Sequence, residues 1–242
     1  MRAWWALLVV GLLASACAPS PDELVVFAAA SLADVAHATA DLQLDVPTRI
    51  SVGPTSLLSQ QIEQGAPVDV FLAAHPKWVE RLEERGATHG DPVELARGRL
   101  VIVAGPNVSP ARSASAALVG APRIALADPS HVPAGEYAQA ALRAVDVWDD
   151  VRDRILPVAD VRAALVAVQR GAADAAIVYA SDALATDELA VVYRFEASVT
   201  PDIRYIGVAV SNRPEAVAWV RQLESPEMQA VWQSHGFEPS QP

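Results

Sequence analysis

Leu24-Val-Val-Phe-Ala-Ala-Ala30 is an uninterrupted apolar run that stops at Ser31 and passes directly into the helical spacing of Leu32 to Leu44. Apolar residues without alternation suit a strand buried on both faces, as in a parallel sheet covered by helices. Working outward, the pattern repeats. Ile50–Val52, Asp69–Ala73 and Arg99–Ala104 read as strands, and Leu57–Gln64 and Trp78–Arg85 as helices. A second series has strands at Arg123–Ala127, Ala175–Tyr179, Val191–Arg194 and Ile203–Val210. Its helices are Gly135–Ala144, Val161–Arg170, Pro214–Leu223 and Pro226–His235. Strands alternating with helices in this way predict an α/β fold with parallel sheets.

The chain has 242 residues, 52% hydrophobic and 19% charged, enough for one large domain or two smaller lobes. A formal charge of −11 excludes wrapping nucleic acid or adhering to anionic lipid, and at first sight also disfavours an anionic ligand. Lys77 is the only lysine, and the excess of arginine goes with the Ala- and Val-rich composition of a GC-rich coding sequence.

The N-terminus reads as an address. Arg2, the apolar run Trp4–Leu13 and the small residues Ala14-Ser15-Ala16 form a secretory signal over residues 1–16. The run is too short to span a bilayer, which takes about 20 apolar residues. Cys17 is the only cysteine, so no intrachain disulfide can form. Its place after the small residues resembles a bacterial lipobox, with residues 17–22 as a lipidated tether. The expected location is the periplasm or the outer face of the cell membrane, with membrane contact through the lipid alone.

Enzyme signatures are missing: there is no G-x-S-x-G elbow, P-loop, G-x-G-x-x-G or H-E-x-x-H. The histidines (37, 75, 89, 131 and 235) have no ligand-like spacing and read as surface or structural residues, with no cation site. What recurs is a strand that ends in small or hydroxyl residues where a helix begins. The cases are Ala28-Ala-Ala-Ser31, Gly53-Pro-Thr55-Ser56, Asp128-Pro-Ser-His-Val-Pro-Ala134-Gly135 and Ala159-Asp160-Val161-Arg162. Each helix start carries unpaired N–H groups and about half a positive charge. In open α/β sheets such starts gather at the carboxyl ends of the strands. Any one of them is explained by capping, with Ser31 and Asp160 as caps and Asp34 completing a box at Ser31. Together they point to an anion cradle of amides and hydroxyls that requires no Lys or Arg.

At these residues the chain resembles the periplasmic molybdate-binding proteins of ABC importers. Phe27-Ala-Ala-Ala-Ser31-Leu32, Gln61-Ile-Glu-Gln-Gly65-Ala-Pro-Val-Asp69-Val-Phe71 and Asp128–Ala138 carry the likeness. So do Asp160-Val161-Arg162-Ala-Ala-Leu165, Ile177–Ala183 and His235-Gly236-Phe237. The resemblance implies an α/β, two-lobed type II periplasmic binding protein, each lobe a mostly parallel sheet flanked by helices, joined by two crossover strands. Lobe I would comprise 23–103 and 204–242, and lobe II 104–203. It also implies a monomer that binds molybdate, and tungstate too, delivers it to an ABC permease, uses no cofactor and is not an enzyme. Carried over by position, Ser31 and Thr55 give a backbone N–H and a hydroxyl, Ala134 and Val161 a backbone N–H, and Tyr179 its phenol. Thr55 stands where the family has a serine, and Pro54 interrupts the family's run of serines, so Thr55 and Ser56 remain alternatives. Asp34, Asp128 and Arg162 read as caps and supports. The rival readings are a receptor for sulfate or another tetrahedral oxyanion, a sensor that feeds no transporter, and an enzyme on the same fold. Porphobilinogen deaminase anchors its cofactor through a cysteine, but here Cys17 lies in the export signal.

Overall fold

The computed structural model describes residues 23–42 and 46–240. The export signal and the tether with Cys17 lie outside the described residues, as does the end of the first predicted helix. The Leu24 run is strand β1 (Leu24–Ala29), and a 3-10 turn over Ala30–Leu32 leads into α1 (Ala33–Leu42). Then come β2 (Thr48–Gly53), α2 (Thr55–Glu63), β3 (Val70–Ala73), α3 (Pro76–Glu83) and β4 (His89–Arg97). The chain crosses into β5 (Leu100–Ala104), α4 (Ala114–Leu118), β6 (Ile124–Ala127), α5 (Pro133–Ala144) and α6 (Trp148–Val151). It continues with β7 (Ile155–Val158), α7 (Val161–Gln169), β8 (Ala175–Tyr179), α8 (Ala180–Leu184) and β9 (Ala190–Arg194). The return is β10 (Arg204–Ala209), α9 (Pro214–Gln222), α10 (Pro226–Ser234) and the short β11 (Glu238–Pro239).

The strands form two sheets, ordered β11-β4-β10-β3-β1-β2 and β7-β6-β8-β5-β9. In the first, β1 pairs parallel with β2 (Val26 opposite Ile50) and with β3 (Phe27 opposite Phe71). The apolar run is buried on both faces as its sequence requires. Leu24, Val26 and Ala28 pack with Val35 and Ala36 of α1, whereas Val25 joins Leu58 and Ile62 of α2 and Leu82 of α3. Each such Leu, Ile or Val contributes about 1.5–3 kcal/mol by leaving water. Asp69 fixes the start of β3: its Oδ2 accepts the Val25 N–H at 2.9 Å and its Oδ1 accepts the Ser211 hydroxyl at 2.8 Å.

Three expectations are corrected. The sheets are mixed rather than mostly parallel. β10 runs antiparallel to β3 and β4 in the first sheet, and β5 runs antiparallel to β8 and β9 in the second. β5 is the first strand after the chain leaves the first sheet and β10 the first after it returns, and each runs against the βαβ strands beside it. Second, the boundary at 103/104 falls inside a strand, because β5 pairs with β8 and β9 and belongs wholly to the second sheet. The crossing lies at Gly98-Arg99, where Gly98 N–H donates to Ile203 of the returning segment at 3.0 Å. A Cβ at Gly98 would sit 2.9 Å from the Ile203 side chain, so the two crossing segments approach this closely only with glycine there. Third, β4 and β7 add strands the apolar pattern does not show. β4 carries Gly90, Asp91 and Pro92 directly after its first residue, all of them depleted in strands, and β7 carries Pro157 at a sheet edge, where proline is tolerated.

Candidate functional site

β1, β6 and β8 end at the cleft between the lobes, and helices start there in both. Ser31, Thr55, Ala134, Val161 and Tyr179 come together around one cavity of about 20 Å³, completed chiefly by Pro54, Pro133 and Asp160. That is room for a solute of a few atoms, since about 10–15 Å³ in the same measure accommodates one water. Larger cavities of about 250 and 640 Å³ lie elsewhere, and neither gathers more than one of those five residues.

The local chemistry follows from the helix starts. Proline opens α5 at its first position, where its missing N–H costs nothing. Neither Pro54 before α2 nor Val132 before α5 supplies a side-chain cap, so their first N–H groups are left for another acceptor. α7 differs: Asp160 Oδ1 accepts the Ala163 N–H at 2.9 Å. Asp160 is therefore the cap that was expected. Ser31 is not one. It lies within the 3-10 turn, and its buried Oγ has no hydrogen-bond partner in the protein. Asp34 completes no box there. It reaches across the cleft to Arg162, Nη2 to Oδ2 at 2.6 Å. Asp128 does brace its own loop, accepting the Ser130 N–H at 2.9 Å.

Of the two alternatives in the second segment, Thr55 lines the cavity, and Ser56 is buried without lining it. The Thr55 hydroxyl oxygen accepts the Ala74 N–H at 3.4 Å, which leaves its own hydrogen free to donate. The Tyr179 hydroxyl is buried and has no partner in the protein. Burial, reinforced by the neighbouring Tyr205, Tyr137 and Asp182, pushes this phenol well above its ordinary range, so it is a neutral donor. Gly135 sets the closeness of α5 to the sheet: a Cβ there would meet the Ala127 carbonyl oxygen at 2.0 Å.

The lining includes one carboxylate, Asp160, and no cationic side chain. Among the described residues no group of three or more His, Cys, Asp and Glu is placed to hold a metal ion. No helix of the described residues is long and apolar enough to cross a membrane.

Sequence reasoning missed the residues that join the lobes above this cavity. His75 stacks on Tyr137 with ring centroids 5.0 Å apart, and Lys77 pairs with Glu136. Burial first, and the Lys77 charge second, lower His75 to about 4, so it stays neutral and its Nδ1 can accept the Lys77 N–H. Behind Tyr179, Asp182 is fully buried. Burial pushes it up to about 7 against the opposing pull of Arg162 and the Tyr179 N–H. The solitary lysine was a visible signal, but composition alone does not say that it faces Glu136.

Residues 24–238 match the family of bacterial extracellular solute-binding proteins. The molybdate-binding protein ModA of Haemophilus influenzae is 33% identical over 244 residues, spanning 96% of this chain and 95% of that protein. ModA of Escherichia coli is 31% identical over 227 residues, spanning 89% and 88%. The solved periplasmic molybdate-binding protein of Azotobacter vinelandii superposes with a TM-score of 0.79 at 22% identity, covering 90% of this chain and 100% of that one. The chain belongs to the bacterial extracellular solute-binding protein family.

Proposed function

We propose that this protein captures molybdate between its two lobes and delivers it to an ABC permease, and that tungstate is an equivalent ligand. The observation that carries this reading is the convergence of Ser31, Thr55, Ala134, Val161 and Tyr179 on one small cavity lined by neutral donors. Uncapped helix starts supply directed N–H groups and partial positive charge, and three hydroxyls complete the cradle. A dianion of four oxygens suits such a donor set, because each oxygen accepts more than one hydrogen bond. The ligand named for the relatives in Haemophilus influenzae and Escherichia coli supports the choice among tetrahedral anions.

Protonation sharpens the choice further. Phosphate near neutral pH carries a proton and needs an acceptor. The one carboxylate in the lining has its Oδ1 occupied by the Ala163 N–H, and the other polar groups named at the site are donors, which suit a fully deprotonated anion. The role is binding rather than catalysis: no histidine lines the cavity beside Ser31 or Thr55. Export through residues 1–16 and a lipid on Cys17 would hold a monomer at the outer face of the cell membrane, near its permease. The experiment is titration calorimetry of the purified mature chain with molybdate, tungstate, sulfate and phosphate. Tight binding of molybdate and tungstate is expected; tight sulfate binding with none of molybdate overturns the reading.

A further inference from the structure

One guanidinium ties together the segments that line the cavity. Arg162 follows Val161 at the start of α7 in lobe II. Its Nη2 donates across the cleft to Asp34 in the first turn of α1, three residues beyond Ser31. Its Nε stands 2.9 Å from Oδ1 of Asp182, which is fully buried on α8. The other oxygen of Asp182 accepts the backbone N–H of Tyr179 at 3.3 Å. The chain of contacts thus runs from the Ser31 segment through Arg162, beside Val161, to the residue that carries the cavity's phenol.

Its two halves differ in kind. Arg162 and Asp182 both belong to lobe II, so their contact persists whether the lobes are together or apart. Arg162 and Asp34 belong to different lobes, and their contact exists only when the cleft is shut. Asp182 holds the guanidinium in place, so little side-chain freedom is lost when Asp34 arrives. The pair Lys77–Glu136 stands likewise between α3 and α5, two residues beyond Ala134.

We propose that Arg162, held by Asp182, is a positioning residue whose contact with Asp34 locks the closed lobes and governs the escape of the bound anion rather than its entry. This rests on the oxyanion-binding reading above. An anion enters the open form, in which the contact is not made, and it leaves only after the contact is broken. The effect therefore falls on dissociation.

Replacing Arg162 would leave Asp182 buried without its counter-charge and endanger folding, so the informative change is at the half-exposed Asp34. The off-rate is read as timed release of bound anion, by elemental analysis of the protein fraction for Mo, W, S or P. The dissociation constant comes from calorimetry, and the off-rate divided by it is the on-rate. Asp34→Asn is expected to raise the off-rate and the dissociation constant by the same factor, about fivefold, as for a well-formed ion pair. The on-rate and the melting temperature of the ligand-free protein should stay unchanged, and Asp34→Glu should recover part of the loss. Glu23→Gln, which removes a charge from an exposed pair with Arg49 inside lobe I, serves as control and should move neither rate. An unchanged off-rate in Asp34→Asn, or weakening that arises wholly from slower capture, overturns the lock while leaving the oxyanion reading intact. Retention of none of the four anions by the unaltered protein overturns both.

Discussion

At the floor of the cleft the donors are backbone N–H groups and the neutral hydroxyls of Ser31, Thr55 and Tyr179, whereas the rim carries the ion pairs Asp34–Arg162 and Lys77–Glu136. The floor is small, and its donors are directional. A point charge there would hold any anion, while fixed N–H and O–H groups reward only oxygens in the right places. The rim is partly exposed, where ion pairs are individually weak and screened by salt. Weakness suits it, since the lobes must part to release what they hold. The acidic total of the chain therefore says little about ligand charge, because the positive potential at the floor comes from helix ends that formal counting omits.

The largest break in this contrast should come from beneath the floor. Gly135→Ala forces α5 away from the Ala127 carbonyl, and overpacking of this kind costs about 3 kcal/mol. Denaturant unfolding should register the loss, and calorimetry should show oxyanion capture abolished as the Ala134 N–H moves. A Tyr179→Phe variant should fold normally and bind molybdate about 1–2 kcal/mol more weakly, the scale of one hydrogen bond to a charged group. Unchanged affinity would remove Tyr179 from the site. Next in size, Thr55→Val should cost about 1 kcal/mol of binding while Ser56→Ala costs none, and the reverse pattern would reassign the ligand hydroxyl.

Acid titration probes the seam between floor and rim. Asp182, raised to about 7 by burial, retains its proton better in the folded state, so its contribution to stability falls as pH rises from about 4 to about 7. His75, lowered to about 4, resists protonation when folded, so its contribution falls as pH drops from 6.5 towards 4. The slopes oppose each other over nearly the same window. The melting temperature of the unaltered protein should change little there, rise with pH in Asp182→Asn, and fall with pH in His75→Asn. Identical profiles in all three would show that neither group is perturbed in this way. The smallest effect belongs to the rim: Lys77→Met should weaken binding by no more than about 0.5 kcal/mol at low salt and by less at high salt.

Much of the cradle is legible in the order of residues along the chain. β8 occupies Ala175–Tyr179 as the apolar run indicates, and each hydroxyl or small residue after a strand in the four motifs does mark a helix start. Those features are local, set by apolar periodicity and by the backbone groups a helix start leaves unpaired. The antiparallel strands are not legible, because an apolar run buried on both faces reads alike in either direction. Neither is the choice of Thr55 over Ser56, since adjacent hydroxyls differ only in where the helix turns them. Asp34 misled for a related reason: a carboxylate three residues after a serine fits a local cap, and its actual partner is 128 residues away.

The sequence by itself determined most of the strands, the helix starts and the small or hydroxyl residues placed there, because those depend on neighbours within a few residues. Only the tertiary structure decided that the donors share one cavity, which strands run backwards, and that Asp34 and Lys77 face Arg162 and Glu136. These depend on how two lobes, joined at Gly98 and Ile203, come to rest against each other, and no local pattern encodes that approach.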